Sequence, residues 1–150
     1  LLYSAIFSVC SQQVNFYCIQ NLPCIILSVK GQTMDLIITV KNYQHKSWLC
    51  ARPGGELDMA VADEFRTRIT EAMQFFGCRY LWCDFSAVTF IDSSGLGVLL
   101  GRYRELAPLG GKIIITRPSE QVYRLLVAGG LHKLMEIDRP QTMRYTEEGI

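Results

Sequence analysis

The run Phe90-Ile91-Asp92-Ser93-Ser94-Gly95-Leu96-Gly97-Val98-Leu99-Leu100-Gly101 constrains the fold more than any other part of the chain. An apolar, β-prone segment stops at an acid and two hydroxyls, and residues with helical spacing follow. This pattern places a serine where a strand ends and a helix begins. A hydroxyl there lies on a loop, beside backbone N–H groups that the first helical turn leaves unpaired. It can cap the helix, act as a nucleophile or accept a phosphate.

The segments around this junction alternate between the two periods. Asp35–Lys41 reads as a strand, with Leu36, Ile38 and Val40 alternating against Ile37 and Thr39. Asn42–Lys46 is polar and turn-like, and Ser47–Arg52 completes a hairpin. Pro53 has no N–H to give to a ladder and marks an edge or the strand's end. Gly54-Gly55-Glu56-Leu57-Asp58 is a loop, and Asp58 or a neighbour caps a helix to about Phe76. There Ala62, Phe65, Ile69, Ala72 and Met73 recur at three- and four-residue steps before Gly77. Tyr80–Phe85 reads as a central strand with little alternation, and Ser86–Thr89 as its connection onward.

A second helix runs from about Ser94, capped by Ser93 or Ser94, to Leu106, with Pro108 and Gly110-Gly111 closing it. Lys112–Thr116 is a buried strand around Ile113-Ile114-Ile115. Ser119 caps a third helix with Val122, Leu125 and Leu126 inward, stopped by Gly129-Gly130. Leu134–Ile137 is a last short strand, and Thr142–Glu148 a terminal helix. From Met34 the order is β-β-α-β-α-β-α-β(-α), an α/β fold with a mixed, mostly parallel sheet and right-handed crossovers.

The chain has 150 residues, enough for one domain with a real core. Its 49% hydrophobic content excludes a disordered chain. The formal net charge of +1 gives no global field towards nucleic acid or anionic lipid, so neither is expected as a direct partner. The six cysteines, at 10, 18, 24, 50, 78 and 83, form no Cys-x-x-Cys pair, and the two histidines, His45 and His132, lie far apart. That disfavours a zinc site. Cys50 and Cys83 fall within apolar runs and read as buried reduced thiols.

Residues 1–33 hold one charged residue, Lys30, and show no sustained period. Cys24–Val29 is too short to span a membrane, and a signal peptide's basic start is missing. The stretch reads as an extension, either spurious or disordered, ahead of a single domain over residues 34–150.

Several chemistries can be weighed against the central run. A nucleophile elbow needs glycines two residues on either side of the serine, but Ser94 has Asp92 and Leu96 there. The one downstream histidine, His132, follows Gly129-Gly130-Leu131 in a predicted turn. A P-loop needs a longer glycine loop ending in Lys and a hydroxyl, and Gly95-x-Gly97 lacks the third glycine of a dinucleotide site. Glu56, Asp58 and Asp92 could form a metal or acid–base site, but without His or Cys company a partner-contact loop fits better. A phosphate on the serine would add about −1.5 to −2 charges beside Asp92. The helix N-terminus would accommodate it while the surface became strongly acidic, which amounts to a binding switch without backbone rearrangement.

Gly55-Glu56-Leu57-Asp58, then Phe90–Gly97, then Leu100-Gly101-Arg102-Tyr103, then Gly110-Gly111 before a strand, resembles the anti-anti-sigma factors of the STAS domain family, nearest to the stage II sporulation protein AA group. The likeness covers Met34 to about Ile137, and the spacing of its two loops makes it specific. Pro53-Gly54 departs from it, where the family has a more regular strand. The resemblance implies a single STAS domain, with Ser94 the phosphate acceptor and Glu56, Asp58, Asp92, Ser93 and Gly95 contacting the partner. It implies an anti-sigma factor antagonist rather than an enzyme. The unphosphorylated form would bind an anti-sigma factor that is also a serine kinase, releasing the sigma factor. Phosphorylation would end that binding and a metal-dependent serine phosphatase would restore it. ATP and Mg²⁺ would belong to the kinase and this chain would need no cofactor. It also implies a cytoplasmic protein, monomeric when free. A STAS module from a stress-signalling assembly or an anion transporter is the alternative.

Overall fold

The computed structural model describes residues 34–140, together with the backbone of two strands upstream. In chain order the elements are β1 (Val14–Tyr17), β2 (Ile25–Lys30), β3 (Asp35–Tyr43), β4 (Lys46–Pro53), β5 (Gly55–Leu57), α1 (Met59–Phe76), β6 (Tyr80–Asp84), β7 (Val88–Ile91), α2 (Ser93–Leu106), β8 (Lys112–Thr116), α3 (Glu120–Ala128) and β9 (Glu136–Ile137). The main sheet has the order β1-β2-β3-β4-β6-β8-β9. Its first four strands pair antiparallel, and β4, β6, β8 and β9 run parallel. A separate small sheet pairs β5 with β7. Apart from the β1 and β2 backbones, the extension over 1–33 lies outside the described residues, as does the helix expected at Thr142–Glu148.

Burial alternates along β6 and β8: Leu81, Cys83, Ile113 and Ile115 are buried, while Trp82 and Ile114 are half-buried. Tyr80–Asp84 is central as expected, between β4 and β8, but the little alternation read there is corrected, since its burial alternates. Phe65 and Ile69 of α1, Leu99 of α2 and Leu126 of α3 meet the Leu36, Leu81 and Ile115 side of the sheet in one core. The other side carries an aromatic cluster, with Trp48 against Tyr80 at 5.1 Å and Trp82 at 6.1 Å between ring centroids. Trp82 Nε1 donates to Thr116 Oγ1 at 2.9 Å.

Local chemistry sets the element ends. Asp58 caps α1 and Gly77 ends it in the left-handed region at φ 64°, where a side chain would be strained. Ser119 caps α3 by accepting from Val122 N–H. The β3–β4 hairpin runs further than the polar Asn42–Lys46 segment suggested. A two-residue turn suffices because Gln44 and His45 both take positive φ, 50° and 60°. Val88 and Thr89 belong to β7 rather than to a connection. The last strand is only Glu136–Ile137, because Leu131–Lys133 closes into a 3₁₀ turn first. Cys78 and Cys83 are buried thiols, and Cys50 is half-buried. Complete burial pushes the Cys83 thiol up to about 12.

The C-terminal ends of β4, β6 and β8 meet at Asp84. Its carboxylate pairs with Arg117, lies 3.9 Å from Arg52 Nε and accepts from Ser86 N–H at 3.0 Å. Burial raises its pKa, but the Ser86 N–H and Arg117 outweigh it and hold the carboxyl below the ordinary aspartate range.

Candidate functional site

The small parallel sheet builds the site. Glu56 lies opposite Phe90 and Leu57 opposite Ile91, with a register shift at Gly55, whose φ is 82°. Gly55 N–H donates to the Ala87 carbonyl at 2.9 Å, and Asp92 N–H to the Leu57 carbonyl at 3.2 Å. Each strand then runs through one acidic residue into a helix, Leu57 through Asp58 into α1 and Ile91 through Asp92 into α2. Parallel pairing therefore sets the two helix N-termini side by side, and with them Glu56, Asp58, Asp92, Ser93, Ser94 and Gly95. The chain passes from the main sheet into this small one at Gly54, between β4 and β5.

The cap of α2 is Asp92, not a serine. Its backbone is extended, and its Oδ1 accepts from Ser94 N–H at 2.8 Å and Gly95 N–H at 3.1 Å. A carboxylate caps as well as a hydroxyl and also opposes the positive end of the helix dipole. Ser93 becomes the first helical residue and is exposed; Ser94 is the second and is half-buried. Both hydroxyls are thereby relieved of capping. Asp92 Oδ2 reaches across to accept from Met59 N–H at 3.2 Å. Asp58 Oδ1 accepts from Ala60 N–H at 2.9 Å.

Gly95 is buried against β5. A Cβ there would abut the Leu57 carbonyl oxygen and lie 2.8 Å from Ile91 Cγ1. Glu56 is exposed, Asp58 is half-buried, and Met59 between the two loops is 79% exposed. Met59 went unnoticed in the sequence. The signal was an apolar residue directly after a helix cap, on the polar face of an amphipathic pattern.

Of the three carboxylates in the site, two have oxygens occupied by helix amides. Among the described residues no group of three or more His, Cys, Asp and Glu is placed to hold a metal ion. His132 is exposed in the turn after α3, and His45 sits at the tip of the β3–β4 hairpin. A cleft of about 370 Å³, lined by Thr70, Cys78, Arg102 and Leu106, lies between the C-terminal halves of α1 and α2, at the far ends of the helices from Ser94. Among the described residues no helix is long and apolar enough to cross a membrane.

The sequence model of the STAS domain matches residues 39–148. This chain belongs to the STAS domain family. Over 114 residues this STAS domain is 36% identical to the anti-sigma F factor antagonist of Paenibacillus polymyxa, covering 76% of this chain and 96% of that protein. The anti-sigma-B factor antagonist of Staphylococcus aureus is 31% identical over 85 residues, 57% of this chain and 78% of its own length. Among solved structures, the anti-sigma factor antagonist SpoIIAA in its unphosphorylated form superposes on the STAS domain with a TM-score of 0.55 at 28% identity, covering 75% of this chain and 97% of that one. SpoIIAA of Bacillus in its phosphorylated form gives 0.51 at 26% identity, covering 71% and 95%.

Proposed function

We propose that this STAS domain is an anti-sigma factor antagonist that is switched at Ser94. In its unphosphorylated form it binds an anti-sigma factor that is also an ATP-dependent serine kinase, and the sigma factor is released. The kinase then transfers a phosphate to Ser94 and binding ends; a metal-dependent serine phosphatase restores it. ATP and Mg²⁺ serve the kinase, and this chain acts as a binding module and substrate rather than as an enzyme. It works in the cytoplasm, as a monomer when free, without direct contact to nucleic acid or membrane.

The observation that carries this reading is the parallel β5–β7 pairing. It joins the Gly55–Asp58 segment to the Ser94 turn in one surface and leaves the serine hydroxyl beside a cap that another residue supplies. Glu56, Asp58, Asp92 and Ser93 form the partner surface around it, and Gly95, expected there too, lies buried beneath and lets α2 approach β5. A phosphate on Ser94 brings about −1.5 to −2 charges to a surface that already holds three acids, so a partner matched to the neutral form meets like-charge repulsion.

Incubation with the cognate kinase and ATP should add one phosphate, and Ser94→Ala should abolish it. Labelling of that variant elsewhere would overturn the assignment. Ser94→Asp should weaken kinase binding at least about tenfold, or about 1.4 kcal/mol, in calorimetry. Unchanged affinity would count against an electrostatic switch.

A further inference from the structure

We propose that Asp92 is a positioning residue, fastening the Gly55–Asp58 segment to the Ser94 turn with one carboxylate oxygen for each helix. Met59 is the first residue of α1, and its N–H is one of the four that an α-helix leaves without an acceptor of its own. The cap of its own helix, Asp58, takes Ala60 N–H instead. The acceptor for Met59 comes from Asp92, 33 residues further along the chain. Oδ1 of the same carboxylate holds Ser94 and Gly95. The backbone of Asp92 points the same way, donating to the Leu57 carbonyl at 3.2 Å. Residue 92 thus grips the segment from 57 to 59 with both its amide and its side chain.

The geometry demands a carboxylate. Serine or asparagine would cap α2 equally well. Neither has two acceptor oxygens facing opposite ways. An asparagine that keeps the two α2 amides turns its NH₂ towards Met59 N–H, donor against donor. With the fastening lost, β5 still pairs with β7. Glu56 and Asp58, however, no longer hold one position relative to Ser94, and a partner must order them on binding. This inference rests on the proposed function only where binding and phosphorylation are concerned. The fastening itself is a property of the chain alone.

Three variants of the full chain test it. Asp92→Asn removes the acceptor. Met59→Pro removes only the donor. Proline is favoured at the first helical position, and Asp58 before it is extended at φ −106° and ψ −175°, as a residue preceding proline should be. Met59→Ala keeps the N–H and controls for the exposed side chain. In Asp92→Asn, exchange of the Met59 amide should accelerate at least about tenfold while Ser94 and Gly95 stay protected. In Asp92→Asn and Met59→Pro, ¹⁵N order parameters over Glu56–Asp58 should fall; in Met59→Ala they should hold. Unchanged exchange or order parameters would overturn the inference whether or not any partner binds. With the kinase, Met59→Pro should raise KM for the domain about five- to tenfold at unchanged kcat, and Asp92→Asn combined with Met59→Pro should be no worse than Asp92→Asn alone. A normal KM in Met59→Pro, with a wild-type protein that is phosphorylated, would also overturn it. A wild-type protein that is never phosphorylated would sink the proposed function and leave exchange and order parameters to decide this one.

Discussion

Three glycines of α2 offer a matched set of substitutions with opposite signs. In an open helical position, alanine is better than glycine by about 0.8–1 kcal/mol. Gly97 and Gly101 are such positions, since a Cβ on either meets nothing within 4 Å. Gly95 is the reverse. Its Cβ would run into the Leu57 carbonyl oxygen, and would lie 2.8 Å from Ile91 Cγ1 and 3.1 Å from Leu57 Cβ. That carbonyl cannot swing aside cheaply, because it accepts the Asp92 N–H. Forcing extra volume into a packed site costs about 1–3 kcal/mol, which exceeds the gain in propensity. Gly95→Ala is therefore expected to destabilise by about 1–2 kcal/mol, and Gly97→Ala to stabilise by about 0.5–1 kcal/mol. Urea denaturation at 25 °C reads both. With slopes of about 1–1.5 kcal/mol/M, the two midpoints should separate by about 1–3 M at equal slope. Equal or greater stability of Gly95→Ala would refute the close approach of α2 to β5, and with it the geometry that joins the two loops.

Two further predictions concern the core and the sheet ends. Cys83, with its thiol pushed up to about 12 by burial, should resist alkylation at pH 8 in the folded protein and react only after denaturation; intact mass checks this. Asp84 titrates below its unfolded value when folded, so its stabilising contribution is complete above that value and is lost as pH falls through the folded one. Asp84→Asn should lower the melting temperature at pH 7 and flatten the acid limb below about pH 4, measured by calorimetry across pH. An acid limb identical to that of the wild type would refute the assignment.

The parts of the fold legible in the sequence were those set by local chemistry. Asp58, Gly77 and Ser119 announce helix ends because caps act within a few residues. The Phe65, Ile69, Ala72, Met73 stripe of α1 announces a buried face because its spacing repeats, although Val61 rather than the expected Ala62 is the buried residue at its start. The parts not legible depend on contacts far along the chain. Val88–Ile91 and Gly55–Leu57 are too short to show a period, and each becomes a strand only because the other is there. Gln44 and His45 carry no glycine or asparagine signal for a tight turn. Ile114 sits in an unbroken apolar run, so only the tertiary structure decides which of its neighbours face the helices. In the site, Ser93, Ser94, Glu56, Asp58 and Asp92 stood out by residue type, and only the family resemblance singled out Ser94. The transfer of the cap from serine to Asp92, and the part of Met59, followed only from the side-by-side helix starts.

The β5–β7 pairing also bears on when the site comes into being. Its strands are joined through an 18-residue helix and β6, so closing it carries the loop entropy of a long-range contact. The surface around Ser94 is therefore a property of the finished domain. A nascent or partly unfolded chain displays the serine but not the carboxylates and amides arrayed beside it. Any protein that reads this surface as a whole thereby also reads whether the chain has folded.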